Sequence, residues 1–236
     1  MIYEDYVHFD GNQRLLGHLS HDEAPPKPRP AVLVVHDWSG RNAFALEKAR
    51  VLAEMGYVAF AVDVYGEGRI GETNEEKTAL MQPFLDDRAM LQKRLMAAFD
   101  TVSALPMVDA SKIAVIGFCF GGLCALDLAR SGVNLAASVG FHAILKSSNL
   151  AIKPIKSKVL VLHGYDDPMV RPQDVTDFCD EMTRLKVDWQ VQMYGNTQHA
   201  FMNPQAQDAP NGLMYEPQTA TRAWRAMTHF FEETLR

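Results

Sequence analysis

Three residue types that cooperate in acyl transfer stand near the ends of apolar segments in this sequence: a cysteine, an aspartate and a histidine. Cys119 lies at the centre of Gly117-Phe118-Cys119-Phe120-Gly121-Gly122, after an apolar run that reads as a strand and before a segment that reads as a helix. This is a Gly-x-Ser-x-Gly strand-to-helix turn with cysteine in place of serine. The chain reverses so sharply there that the glycines two residues to either side are needed where a side chain would strike the neighbouring backbone. Sulfur attacks as the thiolate, and the positive end of a helix beginning beside Cys119 favours that form.

A thiol nucleophile needs a histidine to manage the proton and a carboxylate to orient the histidine. In turns of this type the partners follow in the order nucleophile, acid, histidine. The segment Leu162-His163-Gly164-Tyr165-Asp166-Asp167-Pro168-Met169-Val170 follows one predicted strand, and Gly195-Asn196-Thr197-Gln198-His199-Ala200-Phe201 follows the last. Both are expected to leave the C-terminal ends of strands, where open α/β sheets bind ligands. Asp166 and Asp167 compete for the role of acid. Of the eight histidines, His199 alone stands in a loop at the right place in the order. His36 and His163 end strands and read as loop-bracing groups, since a buried histidine needs only hydrogen-bond partners. His142, also at a strand end, is a candidate to line the pocket; His8, His18, His21 and His229 read as surface or core residues.

The elements that must position these groups follow from apolar patterning. Residues 6–9 and 14–18 flank Asp10-Gly11-Asn12-Gln13 as a hairpin. Ala24-Pro25-Pro26-Lys27-Pro28-Arg29-Pro30 reads as a stiff connection. Apolar runs at 31–36, 57–64, 112–118, 135–141 and 158–164 fit strands covered on both faces of a parallel sheet. Leu46, Ala49, Leu52 and Ala53 mark a helical face that ends at Gly56. A helical region over 74–105 carries Pro83, which is expected to break or kink it. Helices over 172–185 and 217–235 bracket a strand at 189–194. The expected architecture is α/β: a mostly parallel sheet flanked by helices, an antiparallel hairpin at the start, and one domain over residues 1–236 without a separate lid.

Composition narrows the function. A net charge of −6 across 236 residues argues against a nucleic-acid partner, which calls for a basic surface. No run of 18 apolar residues and no signal-like N-terminus occurs, so no membrane association and a cytoplasmic location are expected. The three cysteines, Cys119, Cys124 and Cys179, show no metal-type spacing, and Cys124 and Cys179 read as small buried hydrophobes. No metal or organic cofactor is implied.

With these motifs in place the chain resembles the dienelactone hydrolase family of α/β-hydrolases. The resemblance rests on the Cys119 turn, on His163-Gly164-x-x-Asp167-x-x-Val170, on His199-Ala200-Phe201 and on His36-Asp37-Trp38-Ser39-Gly40-Arg41-Asn42. It implies the α/β-hydrolase fold and a Cys119, Asp167 and His199 triad. It also implies an oxyanion hole from the backbone N–H groups of Trp38 and Phe120, and places Asp37 where the family carries an acidic residue near the thiol. In the dienelactone-cleaving members an arginine four residues after the histidine holds the substrate carboxylate; here Asn203 stands there, and Arg41, Arg69 and Arg88 are the candidates to replace it. The expected activity is hydrolysis of a small-molecule ester or lactone through an acyl-enzyme, the alternatives being thioester hydrolysis and a non-catalytic redox sensor using Cys119.

Overall fold

The computed structural model describes residues 1–23 and 27–235. An eight-stranded sheet forms its centre, built from β1 (Ile2–Asp10), β2 (Gln13–His21), β3 (Arg29–Val35), β4 (Val58–Val62), β5 (Val108–Phe118), β6 (Ala137–Phe141), β7 (Lys158–Gly164) and β8 (Trp189–Tyr194). Their order is β1-β2-β4-β3-β5-β6-β7-β8. β1 and β2 form the antiparallel N-terminal hairpin, β2 runs antiparallel to β4, and every later pairing is parallel. This is the α/β-hydrolase arrangement that the patterning and the resemblance imply.

Successive side chains of a strand point to opposite faces, and both faces of this sheet are covered. Leu33 and Val35 of β3 and Ile113 and Val115 of β5 share one core with α3 (Arg88–Ser103) and α4 (Phe120–Arg130). Their neighbours Val32, Val34, Ala114 and Ile116 share another with α1 (Ala43–Glu54) and α6 (Pro217–Thr234). The apolar runs read as doubly covered strands are therefore both buried and parallel, because each crossover helix must lie on a face. Sheet order reverses between β3 and β5, so the loops leaving their C-terminal ends open a crevice. One carries Trp38 and the other Cys119.

Local differences from the expected elements have physical causes. The long helical region divides at Asp87, four residues beyond Pro83, into α2 (Asn74–Asp86) and α3. A proline lacks only its own N–H and disturbs the turn before it; at Pro83 the carbonyl is free to accept from Asp87 N at 3.0 Å, and Asp87 then caps α3 through its carboxylate. Gly56 follows α1 in the left-handed region at φ +96, as a helix-terminating glycine does. The expected stiff connection falls partly on residues 24–26, outside the described residues, while Arg29 and Pro30 already belong to β3. Two elements without a sequence expectation, β9 (Gln207–Asp208) and β10 (Leu213–Met214), pair as a short hairpin. α5 (Pro172–Arg184), which links β7 to β8, packs on β8.

Candidate active site

Cys119 joins β5 to α4 with φ +56 and ψ −114, a conformation rare for a residue with a Cβ and costing about 1–3 kcal/mol. Close packing holds it there. A Cβ on Gly117 would enter the carbonyl of Gly121, and one on Gly121 would enter those of Val35 and His36. The two glycines thus let the start of α4 lie directly against the ends of β5 and β3. Gly121→Ala is expected to cost about 3 kcal/mol or more, because rigid backbone rather than a flexible side chain blocks the methyl group. Thermal denaturation reads this, and a Tm within 2 °C or so of wild type would contradict the stated packing.

His199 and Asp167 reach the same end of the sheet from the loops after β8 and β7. Nδ1 of His199 donates to Oδ2 of Asp167 over 2.7 Å, fixing the tautomer with Nε2 turned to the reacting side. The other carboxylate oxygen of Asp167 accepts from Met169 N at 2.8 Å. Asp167 is buried and Asp166 exposed, its N–H tied to the Thr197 carbonyl at 3.0 Å. The two adjacent aspartates are thus distinguished by direction. β10 supports the histidine loop, since Met214 N donates to the His199 carbonyl at 3.0 Å.

Burial is the largest single influence on the His199 pKa and lowers it. The negative charge of Cys119, the hydrogen bond to Asp167, a weaker hydrogen bond to Cys119 and the charge of Asp167 together overcome it and push the value up to about 10. Nε2 of His199 nevertheless lacks a partner at full hydrogen-bond geometry. Such looseness is ordinary before substrate binds.

The three groups meet at a cleft of about 620 Å³, lined by Cys119 and His199 and walled by Trp38, Phe44, Met81 and Leu213 among others. Asp167 stands behind His199, outside the lining. Phe120 N, in the first turn of α4, has no intrahelical acceptor. Among the described residues Trp38 N also takes part in no backbone hydrogen bond. The Trp38 loop is held on two sides: Tyr65 Oη donates to the Trp38 carbonyl at 2.8 Å, and His36 Nδ1 donates to the Asp37 carbonyl at 2.6 Å. Burial pushes the Tyr65 phenol up, so it remains a donor. Asp37 lines the cleft, and its Oδ1 accepts from Ser39 N at 2.8 Å, which caps the loop.

None of the arginines named as replacements for the one absent at position 203 lines the cleft. Arg41 pairs with Asp5 at 3.1 Å, Arg88 with Asp127 at 2.5 Å, and Arg69 is bonded to the carbonyls of Tyr65 and Gly66. Asn203 does line it, with its Oδ1 accepting from Gln205 N at 3.0 Å. The cation of the lining is Lys77 of α2, whose ammonium stands 5.4 Å from the centroid of the Trp38 ring. Sequence reasoning missed Lys77; its place on a long helical region did not reveal which face it occupies. Cys124 is fully buried as expected, whereas Cys179 is only partly buried. Among the described residues no group of three or more histidine, cysteine, aspartate or glutamate side chains is placed to hold a metal ion, and no helix is long and apolar enough to cross a membrane.

Comparison with known proteins adds three likenesses. A dienelactone hydrolase-like promiscuous phosphotriesterase from metagenomic libraries is 39% identical and superposes with a TM-score of 0.95, with 100% of this chain and 99% of that one covered. A Bradyrhizobium protein named "Probable 2-oxo-3-(5-oxofuran-2-ylidene)propanoate lactonase" is 30% identical over 206 residues, 83% of this chain and 80% of its own. A dienelactone hydrolase from Anabaena variabilis, 20% identical with a TM-score of 0.68 and 99% of each chain covered, shares the fold. The model of the dienelactone hydrolase family matches residues 17–235, nearly the whole span from β2 to α6, and the chain belongs to that family of hydrolases.

Proposed function

We propose that this protein hydrolyses small carboxylic esters or lactones through a Cys119, His199 and Asp167 triad and an acyl-enzyme on Cys119. The observation that carries the proposal is the meeting of a cysteine in a strained turn with a histidine that is hydrogen-bonded at 2.7 Å to a buried aspartate, both lining one cleft. The Cys119 thiolate attacks the carbonyl carbon, and the oxyanion that forms is held by the N–H groups of Trp38 and Phe120. His199 gives its Nε2 proton to the departing alkoxide, leaving a thioester. Water then attacks, its proton passing to His199, and the C–S bond breaks to release the acid and restore the thiolate. Asp167 keeps the ring oriented and stabilises its positive charge without taking a proton. A redox sensor has no need for the acid and histidine loops to converge on its cysteine. The test is acid quench of protein mixed with p-nitrophenyl acetate: an acetyl group is expected on the peptide containing Cys119, and acetylation elsewhere with Cys119 bare would reject the mechanism.

The cleft also bears on substrate charge. Without an arginine in the lining, an anionic lactone loses a charge-assisted hydrogen bond of roughly 1.5–3 kcal/mol, about 10- to 100-fold in specificity. Lys77 favours an anion, but Asp37 and Asp208 line the same cleft and oppose it. Matched neutral esters or lactones are therefore expected to show kcat/KM at least equal to that of their carboxylate-bearing analogues. Measurement at two ionic strengths decides: an anion preference that fades with salt and is lost in Lys77→Met would assign the missing arginine's work to Lys77.

A second reading is favoured by the 39% identity to a promiscuous phosphotriesterase over the full chain. A neutral phosphotriester offers the same cleft an electrophilic centre, a leaving group and an oxygen for the oxyanion donors. Slow turnover of a p-nitrophenyl phosphotriester is expected, and its persistence in Cys119→Ala would separate that activity from the triad.

A further inference from the structure

We infer that His142 is a further catalytic residue, a neutral imidazole that accepts a hydrogen bond from the water clearing the acyl-enzyme and holds that water against His199. The inference rests on the triad reading given above and concerns only its second half. His142 follows β6 directly and is tied to both strands that carry the triad loops beside it. Its N–H donates to the Leu162 carbonyl of β7 at 2.8 Å, and the preceding carbonyl, of Phe141, accepts from Cys119 N at 3.1 Å. The backbone is held at φ +37, where a residue with a Cβ is uncommon.

The ring is 2% exposed and lies edge-on to His199, with centroids 4.9 Å apart at 65°, and to Phe201 at 5.1 Å. In such surroundings a phenylalanine would pack as well and leave no polar atom behind. Yet both ring nitrogens of His142 are buried, and among the described residues neither has a hydrogen-bond partner on another residue. Buried polar atoms are nearly always paired. His36 shows the bracing alternative, since it lies outside the cleft lining and uses both nitrogens within the protein, Nδ1 to the Asp37 carbonyl and Nε2 from Val64 N at 3.3 Å. His142, by contrast, lines the cleft together with Cys119 and His199. Burial, reinforced by the positive charge of His199, drives its pKa well down, so it stays neutral and keeps a lone pair.

Once Cys119 is acylated its negative charge is gone, and His199, having given its proton to the leaving group, is a base. The inferred water stands between a nitrogen of each ring, beside the cleft that both residues line. Such a water donates one hydrogen to His199 Nε2 and the other to His142, which leaves an oxygen lone pair for the acyl carbon. As the C–O bond forms, His199 takes the proton, the C–S bond breaks, and its electron pair returns to Sγ. His142 exchanges no proton.

The step is read by partition of the acetyl-enzyme between water and hydroxylamine during p-nitrophenyl acetate turnover, because the ratio of hydroxamate to acid is independent of the acylation rate. Hydroxylamine is strongly nucleophilic and does not depend on the held water. In His142→Phe and His142→Leu the ratio is expected to rise about 10-fold or more, with the smaller rise in His142→Gln, which retains a polar acceptor. An unchanged ratio in whichever of the two apolar variants folds, even with lower overall turnover, would overturn the inference and leave His142 as a brace for the His199 ring. Cys119→Ala, run alongside, keeps the two readings apart. If it still turns over the ester, the triad reading falls and takes this inference with it; if it is inactive, an unchanged ratio rejects the role of His142 alone.

Discussion

Cys119→Ala is expected to lower kcat for p-nitrophenyl acetate by about 10,000-fold or more while leaving the fold in place. In the proposed mechanism the variant removes the attacking atom, and loss of a nucleophile from a triad leaves only the help given by binding and the oxyanion donors. Stability changes little, because Cys119 is only partly buried and alanine deletes one sulfur. Far-ultraviolet circular dichroism and Tm are thus expected to match wild type. Turnover within about tenfold of wild type in a folded Cys119→Ala protein would remove the mechanism. Cys119→Ser separates shape from acidity: serine fits the turn, but it lies far above the thiol in pKa and must be deprotonated by His199 during attack. Attack by serine then depends on general-base catalysis, so residual activity is expected, well below wild type. In both variants His199 loses the sulfur charge that raises its pKa, and its ring protons, followed by NMR, are expected to titrate below the wild-type value.

The turn at Cys119 was legible in the sequence because steric need limits what can stand there: Gly117 and Gly121 approach backbone carbonyls so closely that glycine is required. The paired strands were legible for a similar reason, since burial on both faces leaves no polar residue between Val32 and Val35 or between Ile113 and Ile116. Residue types with many uses were less readable. Arg41, Arg69 and Arg88 were equivalent as charges along the chain, but each is committed to a carboxylate or carbonyl away from the cleft. Lys77 enters the lining because the segment leading into α2 is tied to the Trp38 loop, Gly71 N donating to the Ser39 carbonyl at 2.9 Å. The β9–β10 hairpin that supports the histidine loop has strands of two residues, too short for an alternating pattern to register. Adjacent candidates such as Asp166 and Asp167 are a harder case, because neighbouring residues share composition and spacing and differ only in direction.

That direction makes a sharp contrast between Asp167→Asn and Asp166→Asn. Asp167 is bonded to Nδ1 of His199 and is buried, whereas Asp166 is exposed and touches the histidine loop through its backbone. Replacing Asp167 with asparagine removes the negative charge and permits the wrong tautomer of His199, an alteration that costs on the order of 10,000-fold in a serine triad. Cys119 remains among the influences that favour the imidazolium, so a loss of about 100- to 10,000-fold in kcat is expected. Asp166→Asn is expected to stay within about threefold of wild type, as surface substitutions away from special features do. The pH profile gives an independent reading. The influences on His199 raise its pKa to about 10, so the imidazolium persists well above the ordinary value of 6.5 and is lost on passing through the raised one. The alkaline limb of kcat/KM, which reports the free protein, is therefore expected near pH 10. Since the Asp167 hydrogen bond and charge are two of the influences raising His199, Asp167→Asn is expected to move that limb to lower pH, and Asp166→Asn to leave it in place. Equal activity losses, or a limb displaced by Asp166→Asn alone, would transfer the role of acid to Asp166 and with it the orientation of His199.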